Sequence, residues 1–263
     1  MALDLQRAAN RRMRIAVLVL VGVVVLLAGM LVGVLVVGGG SDDGQAAQPS
    51  TSPSTPEDTE PEGPGYQPEE TTSPGSDFVA PSEYVQLPAG EGEAEGLPVG
   101  FPQTPEGAAA AVVSSTRTGW SWDPEQVERG IRVYASEDTR ADLLDMAEAG
   151  ADSVRQYVGI PESGPIPEDA ALNAWPIGVQ WEELSDGAVR VSTLTRLSFT
   201  PGNGEPTQTH LHSTVNDAVW EGGDWKIRAV PAEVVQNAPQ AADLGTQEFI
   251  DAGWVAIQEG EER

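Results

Sequence analysis

The chain holds two histidines, His210 and His212, in the run Gln208-Thr209-His210-Leu211-His212-Ser213-Thr214. On a strand, residues i and i+2 point to one face, so both imidazoles project together. Such a pair can supply two nitrogen ligands to a metal, with Glu183 or Asp217 as a carboxylate third. It can equally place an acid–base histidine in a pocket. Against this stands a plainer reading, two polar residues on one strand face, with Leu211, Ser213 and Val215 facing the other way. There is no third His and no Cys to complete a ligand set. G-x-S-x-G, H-E-x-x-H, paired-Cys and Gly-rich phosphate motifs are absent from the sequence. Gly202-Asn203-Gly204 is turn chemistry. The sequence therefore assigns no catalytic residue, no metal ligand and no cofactor, and an enzyme is not expected.

Two further sets carry potential binding chemistry. The seven tryptophans all lie beyond residue 119: Trp120, Trp122, Trp175, Trp181, Trp220, Trp225 and Trp254. Most are expected to fill a core, and the rest would line a pocket or a partner surface. Trp120 and Trp122 cannot both bury on one helical face. Arg190 and Arg196 share a strand face with Ser192, Leu194 and Ser198. They form a basic patch for a partner, or they pair with helix acids such as Asp142 or Glu148.

The elements that position these residues follow from caps and periods. Thr104-Pro105 and Asp123-Pro124 each read as an N-cap followed by proline at the first helical position. They predict a small-residue helix to about Thr116 and a second helix to about Val133. A third helix starts at Ser136 or Asp138. Its apolar positions Leu143, Met146, Ala147, Val154, Tyr157 and Val158 keep helical spacing, and Gly159 and Pro161 stop it. The period then changes to two. Ile177, Val179 and Trp181 alternate with polar or small residues. Val189, Val191, Thr193, Thr195, Leu197 and Phe199 form one face of a long strand, followed by strands at Thr207–Trp220 and Trp225–Val230. Thr246 to Gln258 closes the domain as a helix or a strand. Helices followed by strands predict an α+β domain, with helices on a curved four-stranded antiparallel sheet and a cone-shaped pocket between them.

What precedes the domain sets its surroundings. Ile15–Val37 is 23 residues without charge, proline or polar side chain. As a helix it reaches about 35 Å, enough for a hydrocarbon core of about 30 Å. Arg7, Arg11, Arg12 and Arg14 precede it, and no Lys or Arg follows until Arg117. The positive-inside rule puts residues 1–14 in the cytoplasm and the C-terminal part outside the cell. The run is longer than a signal-peptide core, and there is no Cys to acylate. Gly29 and Gly33 provide one G-x-x-x-G spacing for helix association. Residues 38–95 are rich in Pro, Ser, Thr and Glu, with 13 acids and no base between Ser41 and Gly96. This composition predicts a disordered, extended spacer or an acidic docking tail. A short apolar patch, Phe78-Val79 and Tyr84–Leu87, is able to dock on the domain at 96–263. The formal net charge of −27 argues against nucleic-acid binding and against adhesion to anionic lipid surfaces.

Three runs carry a resemblance: GLPVGFPQTPEGAAAAV (Gly96–Val112), GDWKI (Gly223–Ile227) and GWVAI (Gly253–Ile257). With the single span and acidic linker, they resemble extracytoplasmic proteins of actinobacterial integrative and conjugative elements. Those proteins carry a nuclear-transport-factor-2-like domain of the kind found in inner-membrane scaffolds of type IV secretion. The resemblance implies a single-pass cell-membrane scaffold that binds other membrane-anchored proteins or itself. The alternative is an extracytoplasmic ligand-binding or sensor module using the cone pocket. A small cone-fold enzyme using His210 or His212 is the third reading.

Overall fold

The computed structural model describes residues 78–258. The helix expected at 15–37 and the tail 1–14 lie outside them, as does the linker up to residue 77. Among the described residues no helix is long and apolar enough to cross a membrane.

Helix α1 (Pro105–Gly119) begins where the cap signal places it, with Gly107 N–H donating to Thr104 Oγ1 at 3.1 Å. Ala108 to Val113 are all buried, so α1 is enclosed rather than lying with one face in water. α2 (Pro124–Tyr134) is capped by Asp123, which accepts from Glu125 N–H at 3.0 Å. The single helix expected next is two: α3 (Glu137–Leu144) and α4 (Ala147–Tyr157). α3 buries no residue, whereas α4 buries Ala147, Ala151 and Val154. The break at Asp145–Met146 lets α4 turn its apolar side inward independently of α3.

The expected sheet needs correcting. It has six strands, not four, and it is mixed rather than antiparallel. Its long members are β4 (Ala171–Ser185), β5 (Ala188–Thr200) and β6 (Gln208–Glu221), joined to β7 (Asp224–Arg228) by successive antiparallel pairing. Two short strands extend the other side. β1 (Tyr84–Val85) pairs in parallel with β8 (Val255–Ile257), and β8 pairs antiparallel with β4, giving the order β1-β8-β4-β5-β6-β7. A separate hairpin of β2 (Gly92–Ala94) and β3 (Leu97–Val99) turns at Glu95 and Gly96, both with positive φ. The folded unit thus takes in residues before 96, including the apolar patch at Tyr84–Leu87. The C-terminal stretch is both expected alternatives, α6 (Gln247–Asp251) followed by β8, with α5 (Ala232–Gln236) before it.

Alternation along β5 holds. Val189 and Val191 face α1 with Ala218, Trp225 and the alanines of α1. Leu194 faces the opposite side, where the C-terminal segment packs Phe249, Trp254 and Ala256. β4 departs from its simple period. The register skips Ile177, since Pro176 pairs with Thr195 and Gly178 with Leu194. This bulge sends Ile177 to the Phe249 side, while Trp181 packs on the α1 side.

Two of the three resemblance runs meet here. Phe101 N–H donates to Asp224 Oδ1 at 3.3 Å, and Trp225 Nε1–H donates to the Pro102 carbonyl at 2.8 Å. That carbonyl lies where a Cβ on Gly107 would have to go. In the third run, Trp254 is buried and its Nε1–H donates to Gln240 O at 2.8 Å. Gly107→Ala is expected to destabilise the protein by about 1–3 kcal/mol through overpacking, although alanine is the better helix former. Gly150→Ala in α4 meets nothing within 4 Å and is expected to stabilise by roughly 0.5–1 kcal/mol. Thermal unfolding of the two variants in parallel checks the opposite signs.

Candidate functional site

The β5–β6 register sets Leu197 opposite His210, Thr195 opposite His212 and Thr193 opposite Thr214. The two histidines do share a face, and it is the face covered by the helices. Trp120, just past α1, stands edge-on to the His212 ring at 5.1 Å between centroids. The Tyr157 hydroxyl and His210 Nδ1 are hydrogen-bonded at 2.7 Å. Phe199 lies 5.2 Å from His210 and 5.6 Å from Tyr157, and Trp120 lies 5.7 Å from Tyr157. Aromatic rings therefore pack against both imidazoles, which remain half-buried. Burial pushes the His212 pKa down to about 4 and raises that of the Tyr157 phenol. A pKa near 4 leaves His212 neutral at ordinary pH.

The residues proposed to complete a metal site are not brought to the histidines. Asp217 sits on the opposite sheet face, as its odd position in β6 requires, and Glu183 is exposed near the end of β4. Among the described residues no group of three His, Cys, Asp or Glu is placed to hold a metal ion. Beside His212, the Oγ1 atoms of Thr193, Thr195 and Thr214 are buried and have no hydrogen-bond partner within the described protein. This strip of polar atoms under α1 was not singled out from sequence, where Thr193 and Thr195 read as ordinary β-branched strand residues.

The other face carries the arginines. Arg190 does not pair with Asp142 or Glu148. It reaches across to β6, where its Nε and NH2 groups donate to the two Asp217 oxygens at 2.9 and 3.2 Å. Arg228 approaches the same carboxylate at 4.0 Å. Asp217 is only 5% exposed, and its hydrogen bond holds Arg190 more firmly protonated. Arg196 faces Asp243 at 3.8 Å, in the C-terminal segment rather than on a helix. Arg190 also borders an open groove of about 430 Å3 between the sheet and α5, with Gln180, Glu182, Ser192, Val215 and Glu233. Of the tryptophans, Trp225 and Trp254 are core, whereas Trp175 on β4 is 43% exposed. Both Trp120 and Trp122 are partly buried, packed near Val154, Val158 and Phe199.

No known protein family matches the chain, and no curated protein matches it. Among solved structures, the intermembrane space region of the chloroplast protein ARC6 is similar at 11% identity, covering 49% of this chain and 95% of that one. The TM-score is 0.31, a level at which the likeness carries no argument.

Two outcomes follow from these side chains. A histidine whose folded pKa lies below its unfolded value near 6.5 binds its proton more readily when unfolded. Its contribution is present above about pH 6.5 and is lost as pH falls toward about 4. Wild type is therefore expected to lose roughly 1–3 kcal/mol more than His212→Gln between pH 7 and pH 4.5, read from unfolding midpoints across that range. Arg190→Ala leaves the Asp217 carboxylate buried with only a distant partner, and is expected to cost about 3–5 kcal/mol. Chemical denaturation beside Arg196→Ala, whose exposed pair contributes about 0–1 kcal/mol, checks the ranking.

Proposed function

We propose that this chain is a membrane-anchored extracytoplasmic scaffold or assembly subunit, acting by protein–protein binding within a conjugative transfer or secretion apparatus. In this reading residues 15–37 anchor it in the cell membrane with the N-terminus cytoplasmic. The acidic stretch gives reach, and the folded domain presents surfaces to neighbouring subunits. The observation that carries the reading is the aromatic packing on the histidines. Trp120 and Tyr157 engage the half-buried histidines, the residues best suited to chemistry, in ring packing and a hydrogen bond, which turns attention to the outer surface. Exposed Trp175 and Tyr84 are the kind of amphipathic side chain that anchors protein interfaces. The anchor pattern and the resemblance in the Gly96–Val112 run supply the setting.

One observation favours a second reading, the ligand-binding module. The buried hydroxyls of Thr193, Thr195 and Thr214 beside neutral His212 suit a small uncharged molecule able to hydrogen-bond. Photoreactive groups at Trp122 and Trp175 of the full-length protein, activated in intact cells, separate the two. Capture of other envelope-anchored proteins encoded with this one is the expected result. Absence of protein adducts at both positions, with a small molecule co-purifying with the protein, would reverse the order of the readings.

A further inference from the structure

β6 is paired on one side from Gln208 to Val219, against β5, but on the other side only from Asp217 to Glu221, against β7. From Gln208 to Asn216 it is an open sheet edge. The direction of its backbone groups follows from the turns. Glu221 and Asp224 close the β6–β7 hairpin around Gly222-Gly223, and Trp220 N–H donates to Gly187 O toward β5. Even-numbered residues of β6 therefore bond to β5. The odd-numbered Thr209, Leu211, Ser213 and Val215 turn their N–H and C=O groups outward. Among the described residues none of these outward groups has a hydrogen-bond partner.

Long edges are normally blunted by lysine, proline, a bulge or an inward charge, because they template pairing with another chain. None of these devices is present here. Gln208–Asn216 contains no charged residue, no proline and no glycine, and its β5 register runs without a break. Nine such residues span roughly 30 Å. The opposite edge, by contrast, is the two-residue β1.

Charge selects the occupant. A chain of net charge −27 repels its own copies over most of its surface. An uncharged edge is where two of them approach at least cost, and it offers nothing to recruit a basic partner. The strip is also compatible with itself, since antiparallel pairing about its centre sets His210 against Thr214, Leu211 against Ser213 and His212 against its own copy, with no carboxylate, lysine or arginine opposed. Seventy-seven residues precede Phe78, so copies held in one membrane have the reach to meet at high effective concentration. We propose that two copies of this chain pair β6 to β6, antiparallel, about a two-fold axis between Leu211 and Ser213, joining their sheets into one. The proposal rests on the assembly reading and names one of its partners.

The chain has no cysteine, so one introduced thiol is the only one. Single cysteines at each residue from Thr209 to Val215, with Asp186→Cys in a remote exposed turn as control, are placed in the full-length protein in native membranes and mildly oxidised. Antiparallel pairing brings only residues near the axis within the roughly 4.4–6.8 Å between Cα atoms that a disulfide needs. The expected result is a disulfide-dimer maximum at one residue between Leu211 and Ser213, falling to the control level within about two residues on either side. Thr209→Pro removes an outward N–H and leaves the β5 ladder intact, and is expected to abolish the maximum without lowering the unfolding temperature. A flat profile overturns the proposal, as does a maximum that survives Thr209→Pro. A monomeric mass for the unmodified protein in mild detergent also overturns it, independently of any variant. A photoreactive group at Thr209 that captures a different protein overturns self-pairing in favour of a foreign strand. Partner capture at Trp122 alongside a flat profile removes the β6 pairing and keeps the assembly role. A clear maximum without such capture keeps the β6 pairing and limits the assembly role to self-association.

Discussion

How closely α1 can approach its neighbours decides the helix side of this domain. Ala108 to Ala111 and the two valines after them are buried all round, so the helix meets the sheet, α2 and the β2–β3 hairpin region at once. Only small side chains permit that, because protein interiors fill to nearly crystalline density. The constraint extends to both ends of the helix. Gly107 leaves room for the Pro102 carbonyl, and Gly130 of α2 leaves room for Thr118. The Pro102 carbonyl in turn receives the Trp225 indole N–H. One close approach therefore fixes the incoming loop, the first helix and the last strand of the β4–β7 meander together.

The sheet then separates two kinds of surface. On the α1 side, hydrophobic layers give way toward Thr193, Thr195 and His212, and the aromatic rings of Trp120, Tyr157 and Phe199 pack at that end. On the other side the C-terminal segment covers only part of the sheet, around Phe249 and Trp254. The rest holds the Arg190–Asp217 pair beside an open groove. A buried carboxylate needs a partner of good geometry to persist, and cross-strand register supplies it. The same register that puts Asp217 beside Arg190 removes it from the histidines, so the ion pair and a histidine–carboxylate site exclude one another.

Much of this was readable in the chain. Thr104-Pro105 and Asp123-Pro124 mark helix starts through chemistry local to two residues, and both hold. The alternation from Val189 to Phe199 reports which face each residue takes, and that holds too. What was not legible depends on distance or on brevity. β1 and β8 have two and three residues, too few to display a period, so a sheet of four antiparallel strands was expected where six mixed strands exist. The bulge at Ile177 inserts one residue and flips a face without any mark in composition. Arg190 finds Asp217 because residue 190 lies opposite 217, and the loop from Pro201 to Thr207 does not reveal that register. The partners of His210 come from α4 and β5, which nothing in the sequence ties to a particular histidine. The helix break at Asp145–Met146 is likewise set by what α4 packs against rather than by a proline or glycine.

The pairing of β1 with β8 also has a mechanical side. The chain enters the domain at one margin of the sheet. It is held there by Val79 N–H to Gly245 O, Ala256 N–H to Glu83 O and Gln258 N–H to Val85 O. A load drawn through the N-terminal stretch falls on these few hydrogen bonds before it reaches the extensive β4–β5–β6 ladders. Under tension the two-residue β1 would part from β8 while the long β4–β5–β6 ladders keep their pairing. The margin of the sheet is thus the part of the described domain that gives way first to a pull from its N-terminal side.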